Sequence, residues 1–283
     1  CGTEVERIAA LSWGRIAITA VLLLTGGAFM LPLVWMLSAS FKPEVDVFNY
    51  PIEWIPKRWN LVQNYREVWG GSAHFALYYW NSIKVSLSTT LLSTLVSAAA
   101  AYGFSKIRFP GRDALFMLVL ATYMIPHEAT LVPLFVLYRA IHLYNTRVGL
   151  VLLGGFSVLG TFLLRQFFMG VHNEYLESAQ MDGAGHPLIF WRIALPLVRP
   201  AIATYAILRF IWTWNDFQTP FIFLRDEAFY TIQLGMSQFA DRNGQYYSLI
   251  MAGSVSAILP LLIVFIVGQK QVIEGISLGG VKG

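Results

Sequence analysis

The chain has 283 residues, 56% of them hydrophobic and only 13% charged. A soluble domain carries about 45–50% apolar and about 25% charged residues, so a water-facing globule of this size is excluded. The formal charge of +4 is scattered, with no Lys/Arg-rich block to bind nucleic acid and no acidic tail. Cys1 is the single cysteine, which excludes an intramolecular disulfide framework and a cysteine-based metal cluster; a processed or lipidated end is one reading of it.

Crossing a bilayer takes about 20 apolar residues in a helix. Six windows qualify: Ile16 to Ser40, Trp80 to Phe104, Ala114 to Tyr138, Val148 to Met169, Ala201 to Phe221 and Leu249 to Val267. The fold class predicted is therefore all-α, a polytopic membrane protein with six transmembrane helices. The link after the second span holds Lys106, Arg108 and Arg112 against Asp113 alone, which marks it as cytoplasmic. The loop from Phe41 to Tyr79 balances Lys42, Lys57, Arg58 and Arg66 against Glu44, Asp46, Glu53 and Glu67, which fits the outside. Six spans then place both termini in the cytoplasm. The division predicted is 1–79 (tail, first span and outer loop), 80–270 (a five-helix core) and 271–283 (a cytoplasmic tail). The spans carry many small residues, among them Ser97 to Ala101, Gly154, Gly155 and Gly160. These read as close-packing sites, because helices in lipid associate by packing and polar contacts.

Residues 170–200 are too polar to span and have helical punctuation. Asn173 is a suitable N-cap, and Glu174 and Glu177 occupy the first turns, where the helix dipole favours acids. Gly183 is a stop, Pro187 starts a second helix, and Leu195-Pro196 ends it. Ile189, Phe190, Ile193 and Ala194 give that helix an apolar stripe. Two short helices about a glycine bend, lying at the cytoplasmic face, are predicted.

Ionisable residues within spans point to function, each costing ~2.5–3.5 kcal/mol at the bilayer centre on insertion scales. Glu128 and Arg209 lie at similar depths at ~1.5 Å rise per residue, which predicts a buried ion pair or a shared polar cavity. Tyr205, Arg209, Trp212, Thr213 and Asp216 recur three or four apart on the fifth span. They form a polar-aromatic stripe that reads either as pathway lining or, for the tryptophans, as an interfacial belt. The five histidines are dispersed with no H-E-x-x-H spacing, so no metal site is expected.

Within 170–200, Glu177-Ser178-Ala179, then Asp182-Gly183-Ala184, then Ile193-Ala194-Leu195-Pro196 resembles the EAA loop of binding-protein-dependent ABC importers, with Ser178 in place of the usual alanine. Trp214-Asn215-Asp216-Phe217, Ile125-Pro126, Val132 to Phe135, Asn64-Tyr65, Asn145-Thr146 and the ending Gly279 to Gly283 are similar to the MalG-like permeases of carbohydrate importers. The resemblance implies a type I ABC importer permease fold in a bacterial or archaeal plasma membrane. It implies pairing with a second, MalF-like permease around a pathway for a sugar, two MalK-like ATPase subunits below, and an extracytoplasmic solute-binding protein above. Glu177, Ser178, Ala179, Asp182, Gly183, Ala184, Leu195 and Pro196 would then form the coupling helix seated in the ATPase subunit. Gly279 to Gly283 would reach between the ATPase subunits. Pathway candidates are Glu128, Tyr205, Arg209, Trp212, Thr213, Asn215 and Asp216. The chain has no G-x-x-x-x-G-K-[ST] loop, so ATP must be bound elsewhere, and the resemblance implies no cofactor in this chain, with ATP and Mg held by the partner ATPase subunits. No catalytic residue is expected. The alternatives are an ion-coupled secondary transporter using Glu128 and Arg209 and an ABC permease for another small polar solute. An intramembrane enzyme would need a nucleophile–base set or metal ligands within the spans, and none stands out.

Overall fold

The computed structural model describes residues 2–71, 74–242 and 246–280, and among these every regular element is helical. The chain divides into two compact units, Cys1–Ala73 with Ala240–Ser256, and His74–Phe239 with Ala257–Gly283.

The first unit holds α1 (Gly2–Ser40), a short 3-10 turn (Glu44–Asp46), α2 (Leu61–Gly70) and the start of α14 (Tyr247–Gly280). The loop after α1 is tied by polar side chains. Asn64, buried, donates from Nδ2 to Ser40 O at 2.9 Å and Lys42 O at 2.8 Å. Lys42 is also buried, and its Nζ donates to Glu53 O. Arg58 closes on Asp46 through Nε and Nη2, at 2.8 and 2.5 Å. Those hydrogen bonds from Arg58 hold the Asp46 carboxyl below its ordinary pKa. The Glu44 carboxylate accepts from the amides of Tyr247 (3.0 Å) and Ser248 (2.8 Å), where the first turn of α14 has donors that no helical carbonyl reaches.

The second unit is organised on α3 (Phe75–Lys106), which packs along α7 (Val158–Gly170) and α11 (Arg199–Trp214). Its buried face is small or hydroxylic, including Ser82, Ser86, Thr89, Ser93, Ser97, Ala98 and Ala101. Small side chains let the neighbouring backbones approach, and the hydroxyls of Ser82, Ser93 and Ser97 find partners on other segments. Ser93 Oγ lies 2.8 Å from Tyr205 Oη, and Trp214 Nε1 donates to Ala257 O at 3.0 Å. The remaining helices are α4 (Arg112–Thr122), α5 (His127–Ala140), α6 (Arg147–Leu153), α8 (Asn173–Met181), α9 (His186–Ile189), α10 (Leu195–Leu197), α12 (Gln218–Phe223) and α13 (Ile232–Arg242).

Among the described residues, three helices are unbroken, long and apolar enough to cross a membrane: the Gly14–Ser40 part of α1, α3, and the Tyr247–Gln271 part of α14. These match the first, second and sixth windows. The third and fourth windows differ from expectation, each being two helices at an angle: α4 and α5 at 95°, α6 and α7 at 49°. The fifth window is also broken. α11 ends at Trp214, and α12 begins at Gln218. Pro126 cannot donate a helical hydrogen bond and starts α5, while Thr146 and Ser157 side chains cap α6 and α7 as separate helices. The backbone of α14 runs through the expected C-terminal tail to Gly280, and 281–283 lie outside the described residues, as does Cys1.

Candidate functional site

The three helix breaks meet at one cavity of about 570 Å³ in the second unit. Tyr123 and His127 reach it from the α4–α5 break, Gly154 and Ser157 from the α6–α7 break, and Asp216 and Gln218 from the α11–α12 break. A broken helix in an apolar surrounding is tolerated only where its freed backbone groups find partners or line a cavity. Both happen here. The Gly154 carbonyl, beyond the end of α6, accepts from Arg209 Nη2 at 2.6 Å. The Asp216 carboxylate accepts from the Thr219 amide at 3.0 Å and starts α12. A Cβ at Gly154 would sit 2.4 Å from Thr89 Cγ2 and 2.5 Å from Arg209 Nη2, so a side chain there would have to displace Thr89 and the guanidinium.

Of the stripe expected on α11, Arg209, Trp212, Thr213 and Asp216 line this cavity. Tyr205 does not. It is 1% exposed, bonded to Ser93 and packed over Gly160, so it is a core residue. Asn215 does not line it either, since its Nδ2 turns back to Ile211 O at 2.9 Å and caps the last turn of α11. Glu128 is exposed in the first turn of α5 and outside the lining, whereas its neighbour His127 is inside. Among the described residues no ion pair joins Glu128 to Arg209. The 95° bend before α5 removes the straight span on which equal depth had been counted. The sequence reading did not identify Thr89, Tyr123, His127, Ser157, Gln218 and Thr231 as lining residues. Their only sequence signals are Pro126 and the Gly154-Gly155 pair, which also occur in ordinary packed helices.

The segment 173–200 forms two helices about Gly183, as its punctuation predicts. Gly183 has φ +83°, its amide donates to Gln180 O, and the Ala184 amide donates to Ala179 O, both at 2.9 Å. These are the two bonds of a Schellman stop. Two details differ. Asn173 is the first helical residue and not the cap, because its side chain is taken by Lys106 Nζ at 2.8 Å. The second helix passes through a π-helical stretch, Phe190–Ala194, and ends at Leu197, one residue beyond Pro196. Ile189, Phe190 and Ala194 are buried in a core with Tyr102, Leu164 and Phe168, and Ala179, Ala184, Ile193 and Leu195 pack against it. Glu177, Ser178, Asp182, Gly183 and Pro196 are exposed. The motif thus separates into an inner set that fixes the segment and an outer set that it displays. Glu177 makes no ion pair among the described residues, although it borders a recess of about 500 Å³ with Lys106, Arg108, Arg112 and His186. Tyr175, Met181, Leu188 and Trp191 add an exposed apolar set that sequence reading missed, Met181 being 88% exposed.

Residues 93–273 match the family described as binding-protein-dependent transport system inner membrane component. The chain is 34% identical over 270 residues to the arabinooligosaccharides transport system permease protein AraQ of Bacillus subtilis, covering 95% of this chain and 96% of that protein. It is 34% identical over 257 residues to the galactooligosaccharides transport system permease protein GanQ of the same organism, covering 89% and 90%. A chain in the crystal structure of a bacterial ABC transporter involved in the import of the acidic polysaccharide alginate superposes with a TM-score of 0.79 at 25% identity, covering 89% of this chain and 94% of that one. With more than half its length inside the family match and helices broken about a lined cavity, this chain belongs to the binding-protein-dependent transport system inner membrane components.

Proposed function

We propose that this chain is one permease subunit of an ATP-binding-cassette importer, forming half of the pathway for a carbohydrate delivered by an extracytoplasmic solute-binding protein. The observation that carries the reading is the convergence of three helix breaks on one cavity with polar and aromatic walls. Discontinuous helices at a solute site are a recurrent device of membrane transport proteins, because unwound backbone supplies polar groups where lipid supplies none. The carbohydrate assignment is supported by the oligosaccharide systems to which AraQ and GanQ belong. Six crossings follow if α4 with α5, α6 with α7, and His186–Leu197 with α11 each count as one bent span. The Lys106, Arg108 and Arg112 link then faces the cytoplasm, with both termini on the same side.

In this reading α8 to α10 form the coupling element. Two ATPase subunits dock from the cytoplasm, and a second permease completes the pathway. A short helical pair packed rigidly onto α3 and α7 passes the movement of a docked subunit to the helices that bound the cavity. Glu177 supplies a carboxylate that forms no ion pair among the described residues, and Met181 and Trp191 supply apolar area for the partner to cover. ATP and Mg belong to the ATPase subunits. The test is co-purification followed by uptake in proteoliposomes. Charge reversal, Glu177→Lys, is expected to remove the ATPase subunit from the complex and abolish ATP-driven uptake. An importer that retains both after this change, or a wild-type chain that never retains an ATPase subunit, overturns the reading.

A further inference from the structure

Among the described residues, the cavity is lined by one guanidinium, Arg209, and one carboxylate, Asp216, and by no other Lys, Arg, Asp or Glu. Opposite charges in one site ordinarily pair, yet no ion pair joins these two among the described residues. Each is instead held from behind by backbone. Arg209 is braced on the Gly154 carbonyl, and its buried Nε has no hydrogen-bond partner. One oxygen of Asp216 is occupied by the Thr219 amide. The terminal guanidinium donors not used by Gly154 and the other carboxylate oxygen are left to whatever enters. Arg209, Trp212 and Thr213 stand three or four residues apart on one side of the end of α11, and Asp216, in the break that follows, lines the same cavity. Trp212 is 43% exposed and makes none of the ring contacts that hold Trp214 in the core.

A donor fork, an acceptor and a flat apolar ring on one wall match a polyhydroxylated ring. One hydroxyl accepts from Arg209, another donates to Asp216, and the C–H face of the ring lies on the indole. A solute carrying a full negative charge meets Arg209 and Asp216 together, so attraction to one is offset by repulsion from the other and the cost of stripping water from that charge is left uncompensated. We infer that this chain itself carries a ring-binding subsite, built from Arg209, Trp212 and Asp216, that prefers a neutral polyhydroxylated ring to a uronate. The inference rests on reading the cavity as a carbohydrate pathway and adds which subunit holds the ring and which charge class it selects.

The experiment uses the assembled importer without its binding protein, so that only the permease selects. In a Cys1→Ser background, Thr213→Cys is labelled with a thiol reagent in the presence of a neutral oligosaccharide or its uronate counterpart. Protection by the neutral sugar is expected at a concentration about tenfold lower, the scale of one hydrogen bond to a charged group. Asp216→Asn is expected to lower the protecting concentration of the uronate about tenfold. Arg209→Met is expected to raise that of the neutral sugar by a similar factor. Equal protection by both sugars, protection by neither, or charge variants that assemble and change nothing overturns the subsite. If a charge variant fails to assemble, the order of the two sugars on the Thr213→Cys protein decides alone. Uptake separates the two levels: an importer that moves no carbohydrate defeats the proposed function, whereas one that moves it without protection defeats the subsite only.

Discussion

Helices α1 and α3 are both long and apolar enough to cross a membrane, yet they differ in what surrounds them. None of the apolar window of α1 is buried, and Gly26 and Gly27 have no atom near the place a Cβ would occupy. In α3, 39% of the window is buried, through serine, threonine and alanine. The difference teaches that hydropathy finds where a helix meets lipid, and small polar residues find where it meets protein. In water the apolar face would be the buried one. In lipid the tails are as apolar as leucine, so close approach and hydrogen bonds decide association.

Substitutions that separate packed from lipid-exposed positions test this contrast, beginning with the largest expected loss. Trp214 is 1% exposed, stacks on Phe210 at 5.8 Å and meets the edge of Tyr79 at 5.6 Å. Trp214→Ala is expected to cost about 3–5 kcal/mol and to lower the unfolding temperature in detergent sharply. Leu24→Ala on α1 should leave that temperature almost unchanged. A large loss at Leu24 would break the comparison.

A smaller effect is expected at the glycines. A Cβ at Gly160 would lie 2.3 Å from Tyr205 Cζ, so Gly160→Ala should cost about 1–3 kcal/mol by overpacking. Gly26→Ala meets nothing and should stabilise its helix by up to about 1 kcal/mol. Opposite signs of the two thermal shifts are the result to look for. Gly183 lies between these cases, for its φ of +83° strains any side chain although no atom stands nearby. Gly183→Ala is expected to cost about 1–2 kcal/mol, and Gly183→Asn less, read as a fall in the unfolding temperature in detergent.

The smallest effect concerns the foot of α1, where polar ties replace packing. Because Arg58 holds the Asp46 carboxyl below its ordinary value of 3.8, the folded state binds that proton more weakly than the unfolded one. The stabilisation is complete above the ordinary value and is lost as pH falls through the lowered one. Asp46→Asn should therefore flatten the acid limb of the stability profile below about pH 4 and change little at neutral pH. An unchanged acid limb would show that the tie contributes nothing.

Much of this was legible in the residues. The second window, Trp80 to Phe104, lies within α3, which starts earlier at Phe75 and ends at Lys106, and the spacing from Glu177 to Pro196 became two helices about Gly183 with the apolar stripe inward. Asn64 and Asn145, read only as part of a resemblance, prove to be staples. Asn64 holds two carbonyls after α1, and Asn145 Oδ1 accepts the amides of Arg225 and Asp226. The candidate site was legible only in part. Helical spacing picked out Arg209, Trp212, Thr213 and Asp216, but the same spacing included Tyr205, which the core absorbs. Spacing specifies a face of a helix and not what that face meets.

Composition and helical punctuation by themselves determined that the chain is helical, membrane-embedded and bent into two short helices about Gly183, because those properties depend on local free energies of transfer, capping and backbone conformation. Only the tertiary structure decided that three apolar stretches are broken, that their breaks meet at one cavity, and that Arg209 braces on Gly154 and not on Glu128. Those outcomes depend on which freed backbone groups lie within reach of which side chains. The residues involved lie far apart along the chain, so no single window contains that information.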